Sequence, residues 1–170
     1  KFENCVKNEA VNIHVFRHPG CRVRGTDFDL LPGKGITYSG IRNEGNIYGY
    51  QTETGMKIVP VSGTPMDKRF FFDCGWDQLT LEMEAGEFAV CSFEKIEEGC
   101  RLKFELSLSQ NASLAIYQDD ALLSEVKPND SAQKQEVIVD RLNPSNASRF
   151  KVLVKNGVIR FDAISLLAAE

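Results

Sequence analysis

The sequence predicts an all-β protein built as an antiparallel β-sandwich or barrel. Three observations predict it. Apolar residues recur at every second position along most of the chain, turn-forming residues punctuate these runs at regular spacing, and no segment sustains a helical period.

In chain order, VNIHVF (residues 11–16) is a predicted strand. RVRGTDFDLLPGKGITYSG (22–40) opens as a buried strand before Pro32, Gly33 and Gly35 break it. NEGNIYGYQTETG (43–55) is a long loop carrying Tyr48 and Tyr50, and PVSGTPMD (60–67) is another. Polar loops with embedded aromatics, hung on a rigid sandwich, are where binding residues collect. RFFFDC (69–74) reads as a buried strand, and LTLEME (79–84) places Leu79, Leu81 and Met83 on one face. EFAVCSF (87–93) is apolar on both faces, as a central covered strand would be. RLKFELSLS (101–109) alternates cleanly, and a hairpin turn at IEEG (96–99) would set Cys91 opposite Phe104. SLAIYQD (113–119), ALLSEV (121–126), QEVIVDRL (135–142), RFKVLVK (149–155) and VIRFDAISLL (158–167) complete the strands. Asp119-Asp120, KPNDS, NPSN and Asn156-Gly157 separate them, the last being the strongest two-residue hairpin signal.

A chain of 170 residues fits one domain and can bury about two thirds of its unfolded surface. The net charge of -4, with Lys and Arg scattered, gives no concentrated basic face, so nucleic acid is not an expected partner. No apolar run approaches the ~18 residues of a membrane helix, so no membrane partner is expected. The five cysteines, at 5, 21, 74, 91 and 100, form no CxxC pair and no zinc spacing, and are expected to stay mostly free and pack as small apolar residues. Sequons at Asn111, Asn129 and Asn146 fall in expected loops.

From about Arg22 to Leu167 the order of features resembles a family 6 carbohydrate-binding module, a galactose-binding-like jelly roll. RVRGTDFDLLPGKGITYSG resembles the family's opening I-E-A-E-D-F-D strand with its Gly-rich turn and tyrosine. NEGNIYGYQTETGMKI is similar to its G-N-x-G-G-x-Y-R loop, with Met56-Lys57-Ile58 replacing an aspartate-containing segment. GEFAVCSFEKIEEGCRLKFELSL is similar to its G-E-W-x-x-Y-x-V-x-V-x-x-x-G-x-Y strand pair, and NGVIRFDAISLL to its closing strand. The resemblance implies a jelly-roll sandwich over residues 22–170, with residues 1–21 as an N-terminal extension or extra edge strand. It also implies a monomeric, non-catalytic, secreted or cell-surface module that binds polysaccharide or oligosaccharide and targets an attached glycoside hydrolase to it.

The departures from the family carry their own expectations. The family's opening acids hold a structural calcium together with a carboxylate of the closing strand, as a hard cation needs several oxygen ligands. Arg24 and Thr26 stand at those positions while Asp162 remains, so no calcium is expected, and Arg24 is expected to pair with Asp162. In the family a sugar ring lies between a tyrosine and a tryptophan, with an asparagine on its hydroxyls. Tyr38 matches the tyrosine; NDSAQKQE (129–136), at the tryptophan loop, has no aromatic; and Arg160 falls at the asparagine, which points to an anionic, uronate-bearing sugar. The candidate ligand-binding residues are therefore Tyr38, Arg160, Tyr48, Tyr50 and the sole tryptophan, Trp76.

No catalytic set emerges. His14 and His18 are the only histidines and lack any nucleophile motif, and Glu82, Glu84, Glu87 and Asp77 read as charges on outer strand faces rather than a glycosidase pair. The competing reading is a structural or protein-interaction sandwich that has lost its sugar cleft.

Overall fold

The computed structural model of the chain describes residues 17–42, 51–61, 78–128 and 134–169. The strands are β1 (Arg22–Arg24), β2 (Lys57–Pro60), β3 (Leu79–Glu84), β4 (Phe88–Ile96), β5 (Arg101–Leu108), β6 (Ser113–Gln118), β7 (Ala121–Val126), β8 (Lys134–Val139), β9 (Ser145–Asn156) and β10 (Val158–Leu167). They form two antiparallel sheets: a six-stranded one in the order β2-β3-β10-β5-β8, with β1 also on β10, and a four-stranded one in the order β4-β9-β6-β7. This is a jelly-roll sandwich, and among the described residues it contains no α-helix.

The period-two pattern sets which side chains fill the space between the sheets. Leu102, Phe104 and Leu106 of β5, Ile159 and Phe161 of β10, and Phe150 and Val152 of β9 are buried to 1 % exposure or less. Phe93 meets Phe150 edge-on at 6.0 Å, and Phe104 tilts against Phe161 at 6.2 Å. Each such side chain contributes roughly 1.5–3 kcal/mol by leaving water.

The connections differ from those the turns suggested. Asn156-Gly157 does not close a hairpin: β9 lies in the four-stranded sheet and β10 in the six-stranded one, so the turn is a corner between layers. Gly157 has φ 69° there, and a Cβ would lie 2.8 Å from the Ala112 Cα, so both conformation and space demand glycine. Cys91 faces Phe150 on β9, not Phe104, because β4 and β5 also belong to different sheets. A tight turn reads the same locally whether the strands pair or pass between layers. Asp119-Asp120 does close a hairpin, pairing Gln118 with Ala121.

β4 is an outer strand of its sheet rather than a central one. Its outer edge is nevertheless bonded to chain: Val90 N donates to Thr37 O at 2.8 Å, Asp29 N to Val90 O at 2.8 Å, Ser39 N to Phe88 O at 3.1 Å and Glu94 N to Arg17 O at 2.8 Å. That pairing satisfies the backbone groups an open edge would expose. The opening strand ends at Arg24, and Thr26 sits in a short 3-10 turn over 25–27. β2, expected as loop at Pro60, is a strand, and β9 begins at Ser145, which places Asn146 on a strand rather than in a loop.

Cys91 and Cys100 are free thiols within the core, and burial pushes the Cys91 thiol up to about 12. The predicted strands at 11–16 and 69–74, together with Cys5, Cys74, His14, Asp77 and Asn129, lie outside the described residues.

Candidate functional site

The loop from Asp29 to Arg42 carries Tyr38 along the outer edge of β4. Its tip is locked by its own backbone: Gly33 O accepts from Ile36 N at 3.0 Å and Thr37 N at 2.9 Å, and Gly35 N donates to Tyr38 O at 2.7 Å. Both flanks are tied down through buried charge. Asp29, whose side chain has no exposure, accepts from Ser92 Oγ at 2.6 Å and pairs with Arg17. Arg42 Nη2 lies 2.8 Å from the fully buried Glu87 carboxylate and donates to Glu82 O at 2.7 Å. A buried carboxylate is tolerable only with such partners. Glu87 is therefore buried and not an outer-face charge as its position suggested.

Tyr38 is half-buried and leans on Phe28, with ring centroids 5.4 Å apart and planes inclined by 58°. It lines a cleft of about 380 Å³ with Leu30, Gln51, Glu53 and Thr54. The opposite wall is a turn in which Gln51 O accepts from Thr54 Oγ1 at 2.8 Å. Gly40 lets the two walls meet: its φ is 53°, and a Cβ would sit 2.3 Å from Thr54 O.

Arg160 is elsewhere. It projects from β10 on the outer face of the six-stranded sheet, where its Nε donates to Glu82 Oε2 at 3.2 Å, and it does not line the Tyr38 cleft. Burial alone would raise the Glu82 pKa. The hydrogen bond and charge of Lys57, then those of Arg160, outweigh it and hold Glu82 below the usual carboxylate value. Tyr48, Tyr50 and Trp76 lie outside the described residues, as does part of the aromatic-free 129–136 loop, whose last residues Lys134–Glu136 open β8. Exposed His18 places Nδ1 2.8 Å from Pro19 O.

The expected Arg24–Asp162 pair does not form. The turn at 25–27 brings Asp27 within reach, and Arg24 grips it through Nε at 2.7 Å and Nη2 at 3.0 Å. Asp162 is the extra residue of a bulge between Phe161 and Ala163; it accepts from Thr80 Oγ1 at 2.6 Å and lies 3.5 Å from Lys134 Nζ.

Sequence reasoning missed Gln51. It lines the cleft, has a left-handed backbone at φ 51°, and its Nε2 donates to Thr26 O at 2.6 Å. Nothing in the local pattern marks it, because its role arises from the packing of two turns far apart in sequence.

No protein-family model matches the chain, and no curated protein matches its sequence. Solved structures do match in shape. One is a family 6 carbohydrate-binding module studied for its binding sub-sites, with TM-score 0.57, 9% identity, and coverage of 90% of this chain and 97% of that one. The fold is that of the family 6 carbohydrate-binding modules. A second such module, from Cellvibrio mixtus lichenase 5A in complex with cellotriose, superposes with TM-score 0.53 at 10% identity over 88% of this chain and 98% of that one. A glycoside hydrolase family 43 arabinoxylan arabinofuranohydrolase from Bacillus subtilis, in complex with cellotetraose, matches with TM-score 0.56 at 9% identity over 89% of this chain and 28% of the enzyme.

Of the positions at which the resembled family holds its calcium, only Asp162 is a carboxylate here, and Thr80 and Lys134 engage it. Among the described residues no three His, Cys, Asp or Glu side chains converge as they would around a metal ion. No helix among them is long and apolar enough to cross a membrane.

Proposed function

We propose that the chain is a non-catalytic carbohydrate-binding module whose ligand ring lies on Tyr38, and that it serves to hold an attached, secreted or cell-surface glycoside hydrolase on its polysaccharide. The observation that carries this reading is the half-buried Tyr38 ring lining a cleft, on a loop pinned at both flanks to the sandwich. The apolar face of a pyranose complements such a ring, and a wall fixed in advance loses little freedom on binding. Modules of this fold are seen with cellotriose and with cellobiose, which favours a neutral β-linked glucan type of chain. Glu53 in the cleft supports a neutral sugar, and Arg160, the reason to expect a uronate, is committed to Glu82. Among the described residues that line the cleft, Glu53 is the one carboxylate.

The test is a polysaccharide and oligosaccharide binding screen, with a uronate-bearing polymer as one arm, run on the native protein and Tyr38→Ala. The expected result is binding to a neutral polymer weakened about tenfold or more by the substitution. Unchanged binding in the variant moves the site to another face. Binding confined to the uronate polymer overturns the neutral assignment.

A second reading has its own support. Leu31, Ile36 and Ile41, at 56%, 54% and 60% exposure, form an apolar rim on the same loop, as a protein-interaction module would present. No binding to any glycan favours it.

The chain is also proposed to fold without structural calcium, because Arg24 and Asp162 are satisfied by protein partners. Its melting temperature is expected to be the same with millimolar calcium and with a chelator; a rise with calcium overturns this.

A further inference from the structure

Met56 lies between the two walls of the Tyr38 cleft and is fully buried, at 0% exposure. It follows the turn that carries Gln51 and Thr54 and immediately precedes β2. Its backbone belongs to one wall: Met56 N donates to Thr54 Oγ1 at 3.2 Å, and that hydroxyl donates to Gln51 O at 2.8 Å. Its side chain belongs to the other. Gly40 N donates to the thioether sulfur at 3.1 Å and Ser39 Oγ at 3.6 Å, and these are the two residues that follow Tyr38.

The sense of these bonds is fixed. A backbone N–H can only donate, and Ser39 Oγ already accepts from Phe88 N at 3.1 Å, which turns its own proton towards the sulfur. A thioether is a weak acceptor, and buried N–H groups ordinarily end on oxygen. Packing alone does not require sulfur here: leucine fills nearly the same volume and offers no acceptor. Gly40 meets Thr54 O so closely that a Cβ would sit 2.3 Å from it, which stops the walls from closing further. The sulfur stops them from parting. The charged anchors of the loop, Asp29 with Arg17 and Arg42 with Glu87, act at its two ends, whereas Met56 acts on the neighbours of the ring itself.

We propose that Met56 is a positioning residue of the cleft: its sulfur anchors Ser39 and Gly40 and so holds the Tyr38 ring at a set distance from the wall of Gln51 and Thr54. The proposal rests on Tyr38 as the stacking residue. Met56 is sealed from solvent and does not touch the ligand. It acts by restricting the ring before the ligand arrives, so that less freedom is lost on binding. Without the sulfur, two donors beside Tyr38 lose their acceptor, and the loop opens to hydrate them.

The test is amide hydrogen exchange by NMR, together with a cellotriose titration, on the native protein, Met56→Leu, Ser39→Ala and Tyr38→Ala. In Met56→Leu the Gly40 amide is expected to exchange about tenfold faster or more. Val152 and Ile159, paired in the two sheets, are expected to keep their native rates, a local pattern that a merely structural role would not give. Cellotriose affinity is expected to fall roughly three- to tenfold. Ser39→Ala keeps the sulfur and its Gly40 bond, so both effects are expected to be smaller there. Unchanged Gly40 exchange in Met56→Leu, or protection lost throughout the sandwich, overturns the proposal. Faster exchange with unchanged affinity, where Tyr38→Ala abolishes binding, also overturns it and leaves the Tyr38 site standing. Native protein and Tyr38→Ala alike towards cellotriose overturns the Tyr38 reading, and the positioning role with it.

Discussion

The Tyr38 cleft and the outer face of the six-stranded sheet differ in how their polar groups are satisfied. On the sheet face each charge meets its opposite: Lys57 lies 2.9 Å and Arg160 3.2 Å from Glu82, Lys103 3.3 Å from Glu136, and Lys134 3.5 Å from Asp162. At the Tyr38 cleft, by contrast, Gln51 Oε1 is buried with no hydrogen-bond partner among the described residues. An arginine suits a sugar hydroxyl chemically, but the sheet has already used Arg160. Residue type nominates a binding residue; unspent hydrogen-bonding capacity beside an apolar ledge is the better guide to where it acts.

The largest way to break this contrast is through Arg42, which joins the two regions by following the Tyr38 loop and reaching Glu82, Glu84 and Glu87. Arg42→Met leaves the buried Glu87 carboxylate without its nearest cation, and a loss of about 3 kcal/mol in urea-denaturation stability is expected. A loss under ~1 kcal/mol would mean that the pair is not what pins the loop.

A smaller effect probes the saturated face through pH. The Arg22 hydrogen bond outweighs burial at Glu105 and holds its folded pKa below the ordinary 4.5, and Glu82 is lowered likewise. A depressed carboxylate adds stability that is fully present above the unfolded pKa and lost as pH falls through the folded one. Glu105→Gln should therefore lower the melting temperature at about pH 6, and the gap from the native protein should close towards about pH 3. A gap that is constant over that range would show that the pair contributes nothing through charge.

The smallest effect is at Arg160 itself. Its side chain is 39% exposed, so Arg160→Ala is expected to cost at most about 1 kcal/mol and to leave sugar affinity within about twofold. A tenfold loss of affinity would return Arg160 to the site and collapse the comparison.

Much of the sandwich was legible. The strands at Leu79–Glu84 and Val158–Leu167 fall where alternation put them, because one-sided burial imposes a period of two on the residues themselves. The position of β4 at the end of its sheet was not legible, since a strand's place in the sheet order depends on which distant segments pair with it. Tyr38 was singled out by the resemblance of its Gly-rich loop, and the structure sets it half-buried against Phe28; the partner of Arg24 was not legible, because a guanidinium takes whichever carboxylate the backbone brings nearest, and the turn at 25–27 brought Asp27.

The sequence by itself determined that this chain is a β-sandwich, which side chains fill its core and which loop presents an aromatic ring, because these follow from periodicity and turn chemistry over a few residues. Tertiary structure alone decided that Asn156-Gly157 turns between layers, that Arg160 is spent on Glu82, and that Gln51 lines the Tyr38 cleft. Each of these depends on which distant segments meet, and the free energy of meeting belongs to the assembled core rather than to any local stretch of chain.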